Sequence, residues 1–161
     1  MDATITMSGP LEPRDGWSAD PCTIAAALET LGKRSTLLLL REAFYGATRF
    51  EEFVRRVGLS EPSVAARLRE LVAAGLLAHV DYRDPGQRTR RGYRLTEKGA
   101  DAFPVLAALM RWGDRWATED GRGPVAFRHE GCGAPVGVAV RCADGHDVGP
   151  GELELTVAPR R

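Results

Sequence analysis

Residues 50–73 read FEEFVRRVGLSEPSVAARLRELVA, and this stretch decides the fold. Its first apolar residues fall at i, i+3, i+4 and i+7, on one face of a helix: Phe50, Phe53, Val54 and Val57. After the pair Gly58-Leu59, Ser60 can cap a second helix, which runs to Gly75. The inward stripe of that helix continues the pattern: Val64, Leu68, Leu71 and Val72. Two amphipathic helices across a short glycine-containing break are typical of a helix-turn-helix.

The residues after this helix pair predict a β-hairpin. Residues 77–82 have the composition of a strand, residues 83–91 form a polar loop around Pro85-Gly86, and residues 92–95 return as a second strand. A helix-turn-helix followed by a hairpin is a winged helix. We therefore predict an α+β, mainly α fold: a winged helix-turn-helix domain with a long C-terminal dimerisation helix and a small β extension.

Helical periodicity continues on both sides of this centre. Residues 20–32 predict a first helix, with Ile24, Leu28 and Leu31 at helical spacing, and residues 35–44 predict a short buried one. Thr96 can cap a long last helix that reaches Trp116. Pro104 lies past the first turn of that helix and leaves the carbonyl of Ala100 without a donor, so we expect a kink there.

The last helix carries two apolar stripes, more than one small core needs. The surplus predicts a homodimer interface built from Leu106, Leu109, Met110, Trp112, Gly113 and Trp116. The alternative is that the stripes pack on the first helix within one chain. Both arrangements can hold together, one stripe facing inward and the other outward.

Composition and length fit one domain with short extensions, since 161 residues at 43% hydrophobic content can bury a core. Residues 1–19 lack periodicity and predict a flexible N-terminal arm. Residues 20–120 form the winged-helix domain, and residues 121–161 predict a small β-hairpin or ribbon-like extension. The opening stretch matches neither a signal peptide nor a membrane anchor, so we expect a cytoplasmic protein without a membrane partner.

The charge of the chain is unevenly distributed. The formal net charge is zero, but residues 33–98 hold 14 Lys or Arg against 8 Asp or Glu, an excess of six that the two ends balance. Phosphate binding is mainly electrostatic, so this basic middle predicts a nucleic-acid partner.

In a helix-turn-helix the second helix enters the major groove of double-stranded DNA, here helix 60–74. The side chains opposite its apolar stripe are the candidates for contact: Ser60, Pro62, Ser63, Ala66 and Arg67. Arg67 can pair with guanine O6 and N7, Ser63 can donate or accept, and Ala66 can touch a thymine methyl. The alternative for any one of them is a solvated helix surface.

The predicted wing is strongly basic. It crowds four arginines into nine residues with Asp84 as the one counter-charge: Arg83, Arg88, Arg90 and Arg91. Arginine suits a narrow minor groove and its phosphates. The alternative is a loop that is basic for solubility alone.

The C-terminal extension contains the pattern H-x2-C-x9-C-x3-H, formed by His129, Cys132, Cys142 and His146. These are zinc-compatible residues in two tight pairs, so the sequence predicts a Zn²⁺ ion in a small ribbon. The usual C-x2-C pairs are absent. The alternative is a metal-free hairpin with ordinary buried cysteines.

With these residues in view, the sequence resembles the HxlR-type branch of bacterial winged-helix regulators, in the MarR-like superfamily, from about Cys22 to Trp112. The resemblance depends on ordered motifs: Leu31-Gly32-Lys33, Leu39-Leu40-Arg41-Glu42, Arg49-Phe50-Glu51-Glu52-Phe53, Arg67-Leu68-Arg69-Glu70-Leu71, Tyr93-Arg94-Leu95-Thr96-Glu97-Lys98-Gly99 and Trp112-Gly113. The chain departs from the family in having Thr23 where a Pro usually follows the Cys, and Arg34-Ser35 where a Trp usually follows the Lys.

The resemblance implies a DNA-binding transcriptional regulator, usually a repressor, that forms a homodimer through its first and last helices. It places Arg49 near the DNA backbone, where the start of a helix also favours an anion, although Arg49 could instead pair with Glu52. It also makes Cys22 a candidate redox sensor, since that position senses oxidants or electrophiles in some members. A small-molecule or redox effector is thus an expected partner.

No catalytic constellation is evident in the sequence: it has no Ser-His-Asp set, no phosphate-binding loop and no carboxylate pair at helical spacing. We therefore expect no enzyme activity. The alternative to a DNA-binding regulator is a ligand- or protein-binding module that keeps the winged scaffold without DNA affinity, since fold does not fix function.

Overall fold

The computed structural model of the chain describes residues 3–13 and 22–157. Its strands and helices are β1 (Thr6–Met7), α1 (Thr23–Leu31), α2 (Arg34–Phe44), α3 (Phe50–Val57), α4 (Glu61–Ala73), β2 (Leu77–Tyr82), β3 (Arg90–Leu95), α5 (Glu97–Ala100), α6 (Phe103–Trp116) and β4 (Glu154–Leu155). The chain divides into two compact units, one formed by residues 23–124 and the other by residues 1–22 with 125–161. Within the described parts, the helices are too short or too polar to cross a membrane.

The larger unit, residues 23–124, is organised around α2, which packs against α1, α3, α4 and α6. The leucine run of α2 places Leu39 and Leu40 fully inside, where they join the inward stripes of α3 and α4. The largest fully buried side chains are Phe53, Leu39, Leu40, Leu68, Leu77 and Val64. Burial of each such side chain contributes about 1.5–3 kcal/mol, so this core holds the helix pair in place.

The turn between α3 and α4 is set by Gly58, which closes α3 in the left-handed conformation at φ 69°. Ser60 occupies the position before α4, as predicted, but its side chain makes no capping hydrogen bond. Its hydroxyl instead lies 2.8 Å from the hydroxyl of Ser63. The helix-turn-helix predicted from residues 50–73 is thus present, with a different local bond at its start.

The wing is an antiparallel hairpin in which β2 and β3 pair from Leu77↔Leu95 to Tyr82↔Arg90. The returning strand starts at Arg90, two residues earlier than predicted. The loop before α3 lies against β3, because the backbone N–H of Tyr93 donates to the carbonyl of Thr48 at 2.7 Å. A Cβ on Gly92 would lie 2.6 Å from that carbonyl oxygen. Glycine at position 92 therefore lets the wing approach α3.

The last helix is broken rather than kinked, which corrects the prediction of one helix through Trp116. Thr96 caps α5 by accepting from the N–H of Gly99, and α5 ends at Ala100. A new helix, α6, begins at Phe103 with Pro104 in its first turn. Because proline has no N–H to give to Ala100, the α-helical ladder cannot continue through it, whereas the first turn of a new helix tolerates it.

The smaller unit contains two-residue strands and tight turns. β1 pairs with β4 in parallel, short 3-10 helices lie at Gly9–Leu11 and Pro150–Glu152, and isolated bridges join Arg128 to Pro135 and Arg141 to Asp147. Residues 3–13 of the arm predicted for residues 1–19 contain β1, which pairs with β4. Residues 1–2 and 14–19 lie outside the described residues, and the flexibility of the arm stays a prediction.

Candidate nucleic-acid interface

The start of α4 is open to solvent, as a groove-reading helix requires. Ser60, Pro62 and Ser63 are all exposed, and Ala66 is half-buried one turn later. The opposite face of the helix is locked in the core, where Val64 and Leu68 are fully buried. The first turn of α4 thus presents two hydroxyl groups on a rigid support.

Arg67 lies on the same helix, but its guanidinium is engaged within the protein. Its Nε donates to the hydroxyl of Ser35 at 3.0 Å, and a terminal nitrogen forms an ion pair with Glu70. Glu70 also forms an ion pair with Lys33, whose Nζ lies 3.3 Å from the Glu70 carboxylate. The Arg67 side chain is 19% exposed. A contact with a base would therefore require Arg67 to leave Glu70.

Arg49 connects the start of α3 to the base of the wing. Its guanidinium donates to both carboxylate oxygens of Asp84, at 2.6 and 3.0 Å, and stacks over the ring of Tyr82 at 4.6 Å. The hydrogen bond to Asp84 raises the pKa of Arg49 above its ordinary value. The partner of Arg49 is thus Asp84 rather than Glu52, the partner considered from the sequence.

Glu52 caps α3 instead. Its carboxylate accepts from the backbone N–H of Thr48 at 2.9 Å and of Arg49 at 3.0 Å. These backbone hydrogen bonds, the one from Arg49 first, lower the pKa of Glu52. Arg56 lies one turn along the helix, 3.7 Å from the same carboxylate group. The cap fixes the first turn of α3 and the loop that contacts the wing.

The four wing arginines have different surroundings. All four are exposed. The Nε of Arg83 donates to the carbonyl of Gln87 at 3.0 Å, which braces the loop. Arg90 lies 3.8 Å from Glu51 at the start of α3, and Arg91 stands opposite Asp81 in the hairpin. Within the part of the chain that the structure describes, Arg90 is the one of the four that forms an ion pair, and Arg88 has neither a hydrogen-bond partner nor an acid opposite it in the hairpin. The charge of Arg88 is therefore the most available to an anion.

The two apolar stripes of α6 separate as the sequence allowed. One packs inward: Leu106 lies against the core, Ala107 is buried, and Phe103 meets Phe44 edge to face at 5.3 Å. The other faces solvent with four large side chains: Val105, Leu109, Trp112 and Trp116. Of the predicted interface, Leu106 is therefore taken by the core, Met110 and Gly113 are half-buried, and Leu109 and both tryptophans are free to meet a partner.

Helix α1 carries a second exposed apolar surface, a pair of large side chains. Ile24 and Leu28 are 71% and 58% exposed, and only Leu31 at its end packs on the core. Cys22 immediately precedes this helix, half-buried and without a disulfide. The assignment of Cys22 as a redox sensor stays a prediction.

The structure brings the candidate metal ligands together in two separate pairs. Nδ1 of His129 lies 3.2 Å from Sγ of Cys132, and Sγ of Cys142 lies 3.5 Å from Nδ1 of His146. Both thiols are exposed and free, so the alternative of ordinary buried cysteines is wrong. Within residues 3–13 and 22–157 no three His, Cys, Asp or Glu side chains converge as a metal site.

Sequence reasoning missed the internal partners of the arginines. Ser35 of α2 accepts a hydrogen bond from Arg67, and Lys33, just before α2, pairs with Glu70. Glu51 of α3 pairs with Arg90 of the wing. Only the contact between Arg67 and Glu70 had a local signal, their i, i+3 spacing on one helix. The other contacts join residues more than thirty positions apart along the chain, which no periodicity reveals.

These elements define a winged helix-turn-helix with a basic wing, and comparison with known proteins agrees. Residues 30–121 match the family described as HxlR-like helix-turn-helix. An uncharacterised HTH-type transcriptional regulator of Mycobacterium tuberculosis is 42% identical over 111 residues, which cover 69% of each chain. Another uncharacterised HTH-type regulator, YvaP of Bacillus subtilis, is 31% identical over 56% of this chain and 82% of its own.

Solved structures show the same architecture. The candidate transcription factor PA1607 is 35% identical, with a TM-score of 0.72 over 80% of this chain and 89% of its own. The redox regulator HypR in its oxidised form is 26% identical, with a TM-score of 0.52 over 58% of this chain and 95% of its own.

The chain belongs to the HxlR-like helix-turn-helix family. It is a DNA-binding transcriptional regulator, and the family and its named relatives are regulators of transcription rather than enzymes.

Proposed function

We propose that the protein binds an operator in double-stranded DNA as a homodimer, with α4 in the major groove and the wing, residues 83–91, in the minor groove, and represses transcription. The observation that carries this proposal is the pairing of an exposed α4 N-terminus with an exposed wing of four arginines. Both stand on elements fixed by the core, so little order has to be created on binding.

In the major groove, Ser60, Pro62 and Ser63 would meet the DNA first, because they lie in the first turn of α4. The hydroxyls of Ser60 and Ser63 can donate to or accept from base edges and phosphates. Arg67 would read guanine only after exchanging Glu70 for the base. This exchange would discriminate between base pairs, because Arg67 would stay with Glu70 when the base opposite it cannot replace that contact.

In the minor groove, Arg88 supplies the most available charge, and Arg83, Arg90 and Arg91 add exposed charge on the same hairpin. The ion pairs Arg49–Asp84 and Arg90–Glu51 tie the wing to α3, and α3 packs against α4. We infer that Arg49 positions the wing through Asp84 rather than binding a phosphate directly.

Dimerisation is supported by the exposed stripe of α6 and the exposed pair on α1. Contiguous large apolar side chains on a surface mark an interface, and two Trp on α6 suit one. A two-fold dimer would read two half-sites about 34–36 Å apart, which gives a single small module the specificity it lacks alone. A dimer seated over two successive grooves of a promoter obstructs polymerase, which favours repression.

The test is a titration of the protein with duplex DNA from its own upstream region at several salt concentrations. We expect tight binding whose affinity falls steeply with salt. The double variant Arg88→Ala with Arg90→Ala should flatten the log–log slope by about 0.9 for each phosphate that the protein no longer neutralises. Arg122→Ala removes an exposed arginine outside the helix pair and wing, and should leave the slope unchanged.

Absent or salt-independent binding would contradict this proposal and favour the alternative, a ligand- or protein-binding module on a winged scaffold. Repression is tested separately with a reporter gene behind the same promoter, where deletion of the regulator should raise expression. Lower expression on deletion would identify an activator.

A further inference from the structure

The smaller unit has almost no hydrophobic core. Among its described residues, 3–13, 22 and 125–157, only Leu11 is buried. Four of its valines, Val125, Val136, Val140 and Val157, are 46–62% exposed. The unit has about 60 residues, a size at which a hydrophobic core by itself gives only marginal stability, and disulfides or metal ions are common additions. All three cysteines of the chain are free, so no disulfide stabilises this unit.

Two hairpin turns of this unit have the same chemical arrangement. In each, a cysteine Sγ lies beside a histidine Nδ1, at 3.2 Å in His129–Cys132 and 3.5 Å in Cys142–His146. In a tetrahedral zinc site with Zn–S near 2.3 Å and Zn–N near 2.0–2.1 Å, adjacent S and N ligands lie roughly 3.5 Å apart. Each pair therefore already has about the separation of two ligands on one ion.

The backbone of both turns supports this arrangement. Gly133 and Gly145 adopt left-handed conformations at φ 70° and 87°, and their N–H groups close the turns onto the carbonyls of His129 and Cys142. Gly131 leaves room for the imidazole, because a Cβ there would lie 3.1 Å from Cε1 of His129. Glycine at these positions therefore permits the tight turn within each His–Cys pair.

We propose that His129, Cys132, Cys142 and His146 bind one Zn²⁺ ion per chain and that the ion closes the two hairpins into a ribbon. Two sulfur and two nitrogen ligands favour tetrahedral Zn²⁺ over harder divalent cations. The two cysteine thiols release their protons to solvent as thiolate–zinc bonds form. The ion supplies the cross-link that the missing core and disulfides do not.

The pairs stand apart in the structure, since no three such side chains converge within its described residues. Closure of the hairpins therefore accompanies binding, which is usual for small zinc modules, where the free energy of metal binding drives folding. The nine residues between Cys132 and Cys142 can span up to about 30 Å when extended, so chain length does not oppose closure.

The experiment titrates the full chain, stripped with a chelator and kept reduced, with Co²⁺ as a spectroscopic probe and then with Zn²⁺. We expect saturation at one ion per chain, visible absorption typical of four-coordinate Co²⁺ with thiolate ligands, and displacement by Zn²⁺. Added Zn²⁺ should slow amide hydrogen exchange in residues 125–157 and leave residues 23–124 unchanged.

Variants assign the ligands. Loss of even an outer partner of a metal ligand costs about 10–100-fold in affinity, so Cys132→Ser and Cys142→Ser should each weaken binding by at least about 100-fold. Cys22→Ser, the matched control, should bind like the unchanged chain. Cys132→His keeps a ligand at this position, so it should retain four-coordinate Co²⁺ with weaker thiolate absorption even if Cys132→Ser fails to fold.

Three results would overturn the proposal. The first is equal affinity in Cys132→Ser and Cys22→Ser. The second is saturation at two ions per chain, which would mean that each pair binds alone. The third is one ion per two chains, which would place the site between subunits.

Discussion

At the residue scale, several charged side chains of the candidate interface form contacts within the protein itself. Arg49 is bonded to Asp84 and Arg67 to Ser35 and Glu70. The Arg67–Glu70 pair lies at the surface, where ion pairs contribute about 0–1 kcal/mol, so a base edge can displace Glu70 from Arg67. Arginines held in this way are oriented before DNA arrives, so the carboxylates that hold them belong to the proposed recognition surface.

Glu52 should make stability depend on pH in the acid range. Its backbone hydrogen bonds lower its pKa below the ordinary value of 4.5, so its contribution is complete above that value and is lost as pH falls through the lowered pKa. Glu52→Gln should therefore flatten the fall of the unfolding free energy below about pH 4.5. Urea unfolding followed by circular dichroism measures this, with exposed Glu130→Gln as control. Parallel pH profiles for Glu52→Gln and the unchanged chain would show that the Glu52 cap does not cause the pH dependence of stability.

Gly92 should be required for the wing to contact the loop before α3. A Cβ at this position meets the carbonyl oxygen of Thr48 at 2.6 Å, so Gly92→Ala must push the strand away from backbone that cannot yield cheaply. We expect a loss of about 1–3 kcal/mol in unfolding free energy, as for overpacked sites, together with weaker DNA binding. Gly137→Ala is the control, since no heavy atom lies within 4 Å of its added Cβ. Equal stability of the two variants would show that the contact is dispensable.

At the element scale, α6 has two apolar faces with different surroundings. The face with Phe103, Leu106 and Ala107 completes the core, and the face with Leu109, Trp112 and Trp116 remains exposed. The break at Asp101 and Ala102 separates α6 from α5, which follows β3 through Thr96. The position of the exposed face is set by the packing of α6 on α2.

A charge on the outer face of α6 should dissociate the proposed homodimer. Trp112→Glu places a carboxylate where an apolar contact would be buried, which costs far more in a dimer than in a solvated monomer. Sedimentation should then show a monomer, and circular dichroism should show an unchanged helix content. Operator affinity should fall. Val140→Glu alters a side chain of matched exposure, 62% against 63%, and should stay dimeric. A dimer that survives Trp112→Glu would place the interface elsewhere.

At the scale of the whole molecule, the two units differ in what stabilises them. The buried cluster from Leu39 to Ala102 lies entirely within residues 23–124, whereas the smaller unit has two-residue strands and little burial. Stability of the first comes from apolar packing, which needs no ligand.

A chain of residues 22–124 should therefore fold by itself and keep its DNA affinity. It retains α1 to α6, the wing and both exposed apolar faces. Thermal unfolding followed by circular dichroism, together with the salt-dependent DNA titration, checks this with the full chain as reference. Loss of cooperative unfolding in the shortened chain would mean that the other unit is needed for folding.

The sequence by itself determined the helix pair, the inward stripes and the basic wing, because helical and strand periodicities are local and each stripe must face a core. It also indicated the surplus face of α6 and the two His–Cys pairs, whose members lie within one turn of each other. The tertiary structure alone decided which arginines are already paired. Arg49 meets Asp84 across 35 positions and Lys33 meets Glu70 across 37, and such contacts exist only once packing brings distant segments together.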